Sequence, residues 1–173
     1  MKKMLSALCV AVFSLAFLSG CNKQQDETVK AVEKVDITHE LATVSVGLEP
    51  EKVMSMDLGI VLDSVGIKIM GLPQQTLPTF LSKFSSNEYL NMGSMQEPNY
   101  EKINEAKPDV IFVSDRMKAK YAEFIAIAPT VYLPIPMTPY LETLEVNINQ
   151  LKLIFPSKAA ALDEKMNNIK AEA

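Results

Sequence analysis

Cysteine, histidine, arginine and tryptophan are scarce in this sequence. It holds two Cys, one His and no Trp, and Arg116 is its one arginine. Two Cys and one His leave little material for a metal cluster or a disulfide framework. The formal net charge of -4 argues against nucleic acid as the main partner. The 173 residues, 48% of them hydrophobic, suit one ordinary globular domain.

Motifs of common enzyme classes are missing as well. The chain contains no G-x-S-x-G, no Walker loop and no H-E-x-x-H, and neither Gly59 nor Gly71 lies in a G-x-G-x-x-G context. We therefore expect no catalytic residue and no cofactor, and an enzyme is the last of the functional alternatives.

The longest apolar run lies at the N-terminus. Two lysines precede an apolar stretch over residues 4–18, and small residues then lead to Cys21. This order is typical of a secretory signal peptide, and the run is shorter than the roughly 20 residues that span a bilayer. The alternative is a transmembrane anchor. The polar residues 22–34 predict a flexible tether.

Short apolar segments alternate with amphipathic helical patterns in the rest of the chain. The alternating pattern over 37–46 predicts one or two half-buried strands. Further strands are predicted at 52–56, 68–72, 109–114 and 129–133, and a weak strand or a turn is predicted to end at 92–94. Short helices are predicted between them, one of them over 77–84. Since 109–114 is apolar without alternation, this strand is predicted to be covered on both faces. The sequence thus predicts an α/β fold, a three-layer α/β/α sandwich with a short, mostly parallel sheet.

Helix ends are predicted from capping residues. Asp57 is the predicted N-cap of a helix whose apolar face begins at Leu58, and Gly66 is its predicted stop. Thr138 is the predicted N-cap of a longer helix with Pro139 at its first position. A second helical stretch runs from Lys158 to the last residue of the sequence.

Several motifs carry a resemblance to known proteins. They are Leu18-Ser19-Gly20-Cys21, Val53-Met54-Ser55-Met56-Asp57-Leu58-Gly59, Gly93-Ser94-Met95-Gln96-Glu97-Pro98-Asn99 and Lys107-Pro108-Asp109-Val110-Ile111. The first resembles the lipobox of bacterial lipoproteins, which implies cleavage before Cys21 and lipidation of its sulfur. Together the motifs resemble the N-terminal lobe of ferric-siderophore-binding lipoproteins of ABC importers, nearest to the catecholate (enterobactin-type) binders.

The resemblance implies a division of the chain. Residues 1–20 are expected to be a lipoprotein signal peptide, 21–34 a tether, 35–156 the N-terminal substrate-binding lobe and 157–173 the start of a helix that connects two lobes. The second lobe is expected to be missing, through truncation of the gene or because the sequence is partial.

The resemblance also implies a function. The chain is expected to capture a ferric siderophore, whose own groups coordinate the iron, and to deliver it to an ABC permease in the inner membrane. The protein is expected to be exported and anchored to the bilayer through Cys21, facing the periplasm or the outer face of the cytoplasmic membrane. The alternatives are a lobe that no longer binds ligand and at most docks on the permease, and haem or cobalamin as cargo.

Arg116 is the strongest candidate for ligand binding. It directly follows the predicted strand 109–114, and ligands of open parallel sheets lie beyond the carboxyl ends of the strands. The resemblance implies that Arg116 meets the negative ferric complex, for which a planar guanidinium is suited. A solvated surface arginine is the alternative.

The remaining candidates are weaker. The resemblance implies that Glu97 docks on an arginine of the permease, although an acid near a helix N-terminus is also favourable in itself. Other candidates follow predicted strands and could line the ligand cleft or only pack and cap loops: Met56, Asp57, Leu72, Pro73, Gln74, Gly93 and Ser94. His39 is interpreted as a structural or exposed side chain, and no metal ligand is predicted.

Overall fold

The computed structural model describes residues 33–75 and 77–173. Its helices are α1 (Gly59–Ser64), α2 (Tyr100–Ala106), α3 (Tyr121–Ile125), α4 (Tyr140–Ile154) and α5 (Ala159–Glu172). Its strands are β1 (Lys34–His39), β2 (Ala42–Gly47), β3 (Val53–Ser55), β4 (Ile69–Leu72), β5 (Leu90–Asn91), β6 (Val110–Val113) and β7 (Thr130–Tyr132). Short 3-10 segments span Thr79–Ser85, Asp115–Lys120 and Pro156–Lys158. The signal peptide, Cys21 and nearly all of the tether lie outside the described residues.

The central sheet is parallel. Its five strands lie in the order β5-β4-β3-β6-β7, and each neighbouring pair is parallel. From β3, the next two strands along the chain, β4 and β5, are added on one side of the sheet. The last two, β6 and β7, are added on the other side of β3. The strand order therefore reverses between β3 and β6, the position at which open α/β sheets form a crevice for ligands.

The predicted sandwich is confirmed by how the strands divide their side chains. Val110 and Phe112 of β6 belong to one apolar cluster, and Ile111 and Val113 belong to another. The first cluster includes buried residues of β1, β2, α1, α4 and α5, and the second includes those of α2 and α3. Alternate residues of a strand point to opposite faces, so both faces of β6 are covered. This explains the apolar run without alternation.

The first two strands form an antiparallel hairpin outside the central sheet. His39 at its turn accepts backbone hydrogen bonds at Nδ1 from Leu41 and Ala42, each 3.3 Å long. Its Nε2 lies 3.3 Å from the carbonyl oxygen of Thr130 in β7. Burial lowers the pKa of His39. The ring thus joins the hairpin to the sheet, in agreement with a structural role.

Two predicted helix caps are wrong. Asp57 does not cap α1, because Leu58 holds the N-cap position and no side chain caps it. The Leu58 amide itself donates to the hydroxyl oxygen of Ser55 at 2.9 Å. Thr138 does not cap α4 either, because Pro139 holds the N-cap position and no side chain caps it. Gly66 does end α1 in a left-handed conformation, with φ of 75°, as predicted.

The C-terminal helix packs on the rest of the described chain. Leu162 and Met166 of α5 are buried in the first apolar cluster, and Lys170 pairs with Glu145 of α4. The 3-10 segment Pro156–Lys158 separates α4 from α5 at the predicted break. Whether α5 begins a connection between lobes stays a prediction.

Candidate functional site

A cavity of about 230 Å³ opens at the carboxyl edge of the sheet, beside the point where the strand order reverses. We call it the switch-point cavity. Its walls come from the segments that follow β3, β4 and β6, together with the turn after β5. The lining residues are Ser55, Met56, Asp57, Gly59, Ile60, Leu72, Pro73, Leu77, Pro78, Phe80, Leu81, Met95 and Arg116.

The cavity walls are mainly apolar and include side chains that reach solvent. Phe80 is 80% exposed and Ile60 is 46% exposed, although both are large apolar residues. Exposed apolar surface beside a cavity is typical of a binding site. Phe80 was not among the predicted site residues, because the pattern over 77–84 predicted only a short helix and gave no sign of which side would face a cavity.

Arg116 supplies the positive charge of the cavity. It is exposed and lies second in the 3-10 segment Asp115–Lys120, three residues after the end of β6. Its Nη1 lies 4.0 Å from the sulfur of Met95, and no ion pair to Arg116 occurs within residues 33–75 and 77–173. Its guanidinium N–H groups therefore form no ion pair with a carboxylate of the described chain.

Asp57 joins the ends of the two central strands. The hydroxyl of Ser114, directly after β6, donates a hydrogen bond to Oδ2 of Asp57, which lies two residues after β3. Oδ1 is buried and has no hydrogen-bond partner among the described residues. Burial raises the pKa of Asp57, and the Ser114 hydrogen bonds and the nearby Arg116 charge offset part of that rise. Burial thus disfavours the charged form of this carboxyl relative to the same group in water.

The structure brings together five of the predicted site residues. Met56, Asp57, Leu72, Pro73 and Arg116 all line the switch-point cavity. They come from three different strand ends, so their meeting is a consequence of the parallel sheet.

Gln74 is predicted to bind ligand but does not line this cavity. Its amide nitrogen donates to the carbonyl oxygens of Phe84, at 2.8 Å, and Tyr89, at 3.0 Å. These bonds hold the loop between β4 and β5, so the described contacts of Gln74 are structural.

Ser94 and Glu97 belong to a tight turn rather than to the cavity wall. The Ser94 hydroxyl oxygen accepts a hydrogen bond from the Glu97 amide at 2.8 Å, and Gly93 pairs with Pro98 across the turn. Gly93 has φ of 86°, and a Cβ there would lie 2.5 Å from the Glu97 carbonyl oxygen. Asn99 then caps α2 by accepting from the Lys102 amide. The turn places Met95 in the cavity and leaves Glu97 exposed at the surface.

The motif that begins Lys107-Pro108-Asp109 has a structural explanation too. Lys107 ends α2 with φ of 49°. Oδ2 of Asp109 accepts from the amides of Glu51, at 3.0 Å, and Lys52, at 2.8 Å. Asp109 therefore ties the start of β6 to the start of β3 at the amino edge of the sheet, opposite the cavity.

The described residues contain neither a membrane-spanning helix nor a metal-binding cluster. Over residues 33–75 and 77–173, no helix has both the length and the apolar character needed to cross a bilayer. The same residues hold no group of three or more His, Cys, Asp or Glu side chains arranged to hold a metal ion.

The fold and the position of the cavity define the class of protein. The structure superposes on that of the petrobactin-binding protein YclQ of Bacillus subtilis with a TM-score of 0.75 and 34% identity, covering 80% of this chain and 50% of that one. The periplasmic catecholate-siderophore-binding protein VctP of Vibrio cholerae gives a TM-score of 0.71 and 29% identity, covering 80% and 51%. This is the α/β fold of periplasmic binding proteins, as predicted.

Sequence relatives narrow the class. The chain is 33% identical to YclQ over 176 residues, which is 95% of this chain and 55% of YclQ. It is 26% identical to the ferric-anguibactin-binding protein FatB of Vibrio anguillarum over 95% of this chain and 56% of FatB. No family model matches the sequence. The chain is thus a homologue of siderophore-binding proteins and spans about half the length of these relatives, which confirms the resemblance.

Proposed function

We propose that this chain binds a ferric siderophore at the switch-point cavity and delivers it to the permease of an ABC importer. One observation carries the proposal: the chain's only arginine is exposed, without an ion pair in the described chain, at the rim of an apolar cavity beside the strand reversal. The homology to siderophore-binding proteins supports it.

The chemistry of the cavity fits a ferric chelate. Arg116 offers planar donors to delocalised anionic oxygens, and Phe80, Met56 and Leu72 offer apolar surface to aromatic rings of the ligand. The siderophore satisfies the iron, so the protein needs to supply no metal ligand. A cavity of about 230 Å³ is smaller than the roughly 300 Å³ at which pockets for whole small molecules begin. We infer that it receives part of the ligand and that the rest lies against neighbouring surface.

A catecholate is the cargo that we propose. VctP, which is named for catecholate siderophores, supports this assignment. YclQ and FatB are named for petrobactin and for ferric anguibactin, and they give no support to haem or cobalamin as cargo.

Delivery and anchoring complete the proposal. Glu97 is held at the surface by the Gly93–Pro98 turn, where it is accessible to an arginine of a permease. Glu97→Gln is expected to leave ligand affinity unchanged and to reduce transport in cells.

Cys21 is the proposed attachment point for lipid, with the protein on the outer side of the cytoplasmic membrane. Cys21→Ser is expected to abolish incorporation of radiolabelled palmitate.

Ligand titration tests the central step. The 173-residue chain, purified in detergent, is titrated with the ferric complex of enterobactin, and quenching of tyrosine fluorescence is followed. We expect binding in the micromolar range or tighter, weakened about 10- to 100-fold in Arg116→Ala. Lys118→Ala is the matched control, since Lys118 lies in the same segment but pairs with Glu40. Absence of binding at millimolar ligand would contradict the proposal.

A further inference from the structure

A second cavity lies on the other side of Arg116. It is open, has a volume of about 600 Å³ and is lined by Met95, Gln96, Arg116, Met117 and Lys120. We call it the outer cavity. Met95 and Arg116 line both cavities, so a ligand held by Arg116 in the switch-point cavity would border the outer cavity as well.

The outer cavity contains a second cation. Lys120 is the last residue of the 3-10 segment that carries Arg116. In a 3-10 helix each residue advances by about 2 Å, so the two residues are about 8 Å apart along the axis. The two sulfur-containing side chains that line the same cavity, of Met95 and Met117, supply polarizable apolar surface.

Lys120 differs from its neighbour Lys118 in how its charge is used. The Lys118 ammonium pairs with Glu40. Lys120 makes no ion pair with any residue in 33–75 or 77–173, and its side chain is half-buried against the cavity. A half-buried lysine whose ammonium has no carboxylate partner in the described chain is suited to an anionic oxygen brought by a ligand.

We propose that the outer cavity is a second anion subsite, in which Lys120 contacts the ferric siderophore that Arg116 holds. The inference rests on the proposed function and deepens it. It assigns the ligand class as a ferric chelate with negative charge on more than one side, large enough to reach across Arg116. An uncharged chelate gains nothing from Lys120, so this lysine helps to select ligands by charge.

Equilibrium dialysis of radioactive iron complexes tests the subsite. Wild type, Lys120→Gln and Lys118→Gln are compared with ferric enterobactin, an anion, at low and at physiological salt. We expect Lys120→Gln to weaken binding about three- to tenfold and to reduce the salt dependence of the dissociation constant, while Lys118→Gln stays within about twofold of wild type. Lys120→Arg is expected to restore most of the affinity.

The outcomes separate the subsite from the proposed function. If wild type binds and Arg116→Ala weakens binding, but Lys120→Gln matches Lys118→Gln, the subsite is refuted and the proposed function stands. If wild type does not bind ferric enterobactin at millimolar concentration, the proposed function fails first. A thermal unfolding midpoint for Lys120→Gln equal to that of wild type shows that any loss of affinity is local.

Discussion

The two edges of the parallel sheet differ in how completely their charged residues are paired within the described chain. Both edges hold fully hydrogen-bonded carboxylates, such as Asp115 at the carboxyl edge, which accepts from the Tyr132 hydroxyl and the Ile135 amide. At the amino edge, Asp109 accepts two backbone hydrogen bonds, and the Glu49 carboxylate accepts from the amide of Ser157, at 2.6 Å, and from its hydroxyl, at 2.9 Å. At the carboxyl edge, Arg116 has no ion pair in the described chain and Oδ1 of Asp57 has no partner there.

This difference identifies where a ligand can act. A cavity of about 470 Å³ also occurs at the amino edge, lined partly by Glu49, Glu51 and Asp109. It is larger than the switch-point cavity, but the carboxylates of Glu49 and Asp109 are already hydrogen-bonded. Cavity volume alone does not distinguish the two edges, because the outer cavity beside Arg116 is larger still, at about 600 Å³. The absence of an ion pair to Arg116 and of a partner for Oδ1 of Asp57 within the described chain points to the edge where the strand order reverses.

The largest expected effect is a loss of stability when the backbone turn at the carboxyl edge is disturbed. Gly93→Ala would place a Cβ 2.5 Å from the Glu97 carbonyl oxygen at a positive φ. We expect it to lower the free energy of unfolding by about 2–4 kcal/mol, measured by urea denaturation. Gly66→Ala is the matched control, because its φ is also positive but its nearest neighbour is the Lys158 ammonium at 3.4 Å.

The control separates steric contact from backbone conformation. We expect Gly66→Ala to lower the free energy of unfolding by about 1–2 kcal/mol, because the left-handed backbone conformation is its one source of strain. Equal losses in the two variants would show that the close approach within the Gly93–Pro98 turn contributes nothing.

The next largest effect is the difference in unfolding free energy between Asp109→Ala at the amino edge and Arg116→Ala at the carboxyl edge. Asp109→Ala leaves the amides of Glu51 and Lys52 without their acceptor. We expect it to lower the free energy of unfolding by about 1–2 kcal/mol. Arg116→Ala is expected to change it by less than about 0.5 kcal/mol, because the side chain is exposed. A larger loss of stability in Arg116→Ala would mean that this arginine is structural.

The smallest effect concerns the protonation of Asp57. Burial raises the pKa of its carboxyl in the folded state above the usual 3.8. Well below pH 3.8 the carboxyl is protonated in both states and has no effect on stability. As the pH rises from there through the folded pKa, the unfolded state loses its proton first, so this carboxyl increasingly destabilises the fold.

Asp57→Asn checks the sign of this effect. The amide keeps an acceptor for Ser114 and carries no charge, so we expect the variant to gain stability relative to wild type as the pH rises from 3.5 to 7. Chemical denaturation over this pH range measures the difference. Ser114→Ala is the companion variant, and it is expected to raise the pKa of Asp57 further. A relative stability of Asp57→Asn that falls with pH would contradict the assignment.

The layers of the fold could be predicted because they depend on burial patterns. The run over 109–114 predicted a strand covered on both faces, and the two apolar clusters confirm it for β6. The five central strands and the hairpin follow the predicted order. Gly66 was correctly predicted as a stop because few other residues adopt its backbone conformation.

The site was predicted in part, since it depends on hydrogen bonds that a pattern does not encode. Placement after a strand was enough to group Asp57, Leu72 and Arg116. It could not reveal that Asp57 would accept a hydrogen bond from Ser114 and leave α1 uncapped, or that Gln74 would donate to two loop carbonyls. Phe80 and Met95 were missed because their roles depend on how two loops fold over the edge.

The central claim is that the carboxyl edge binds ligand and the amino edge stabilises the fold. The most direct test measures ferric enterobactin affinity and unfolding free energy side by side for wild type, Arg116→Ala and Asp109→Ala. We predict that Arg116→Ala loses about 10- to 100-fold in affinity with unchanged stability, while Asp109→Ala loses stability with unchanged affinity. Equal affinity in wild type and Arg116→Ala, or a loss of affinity confined to Asp109→Ala, would contradict it.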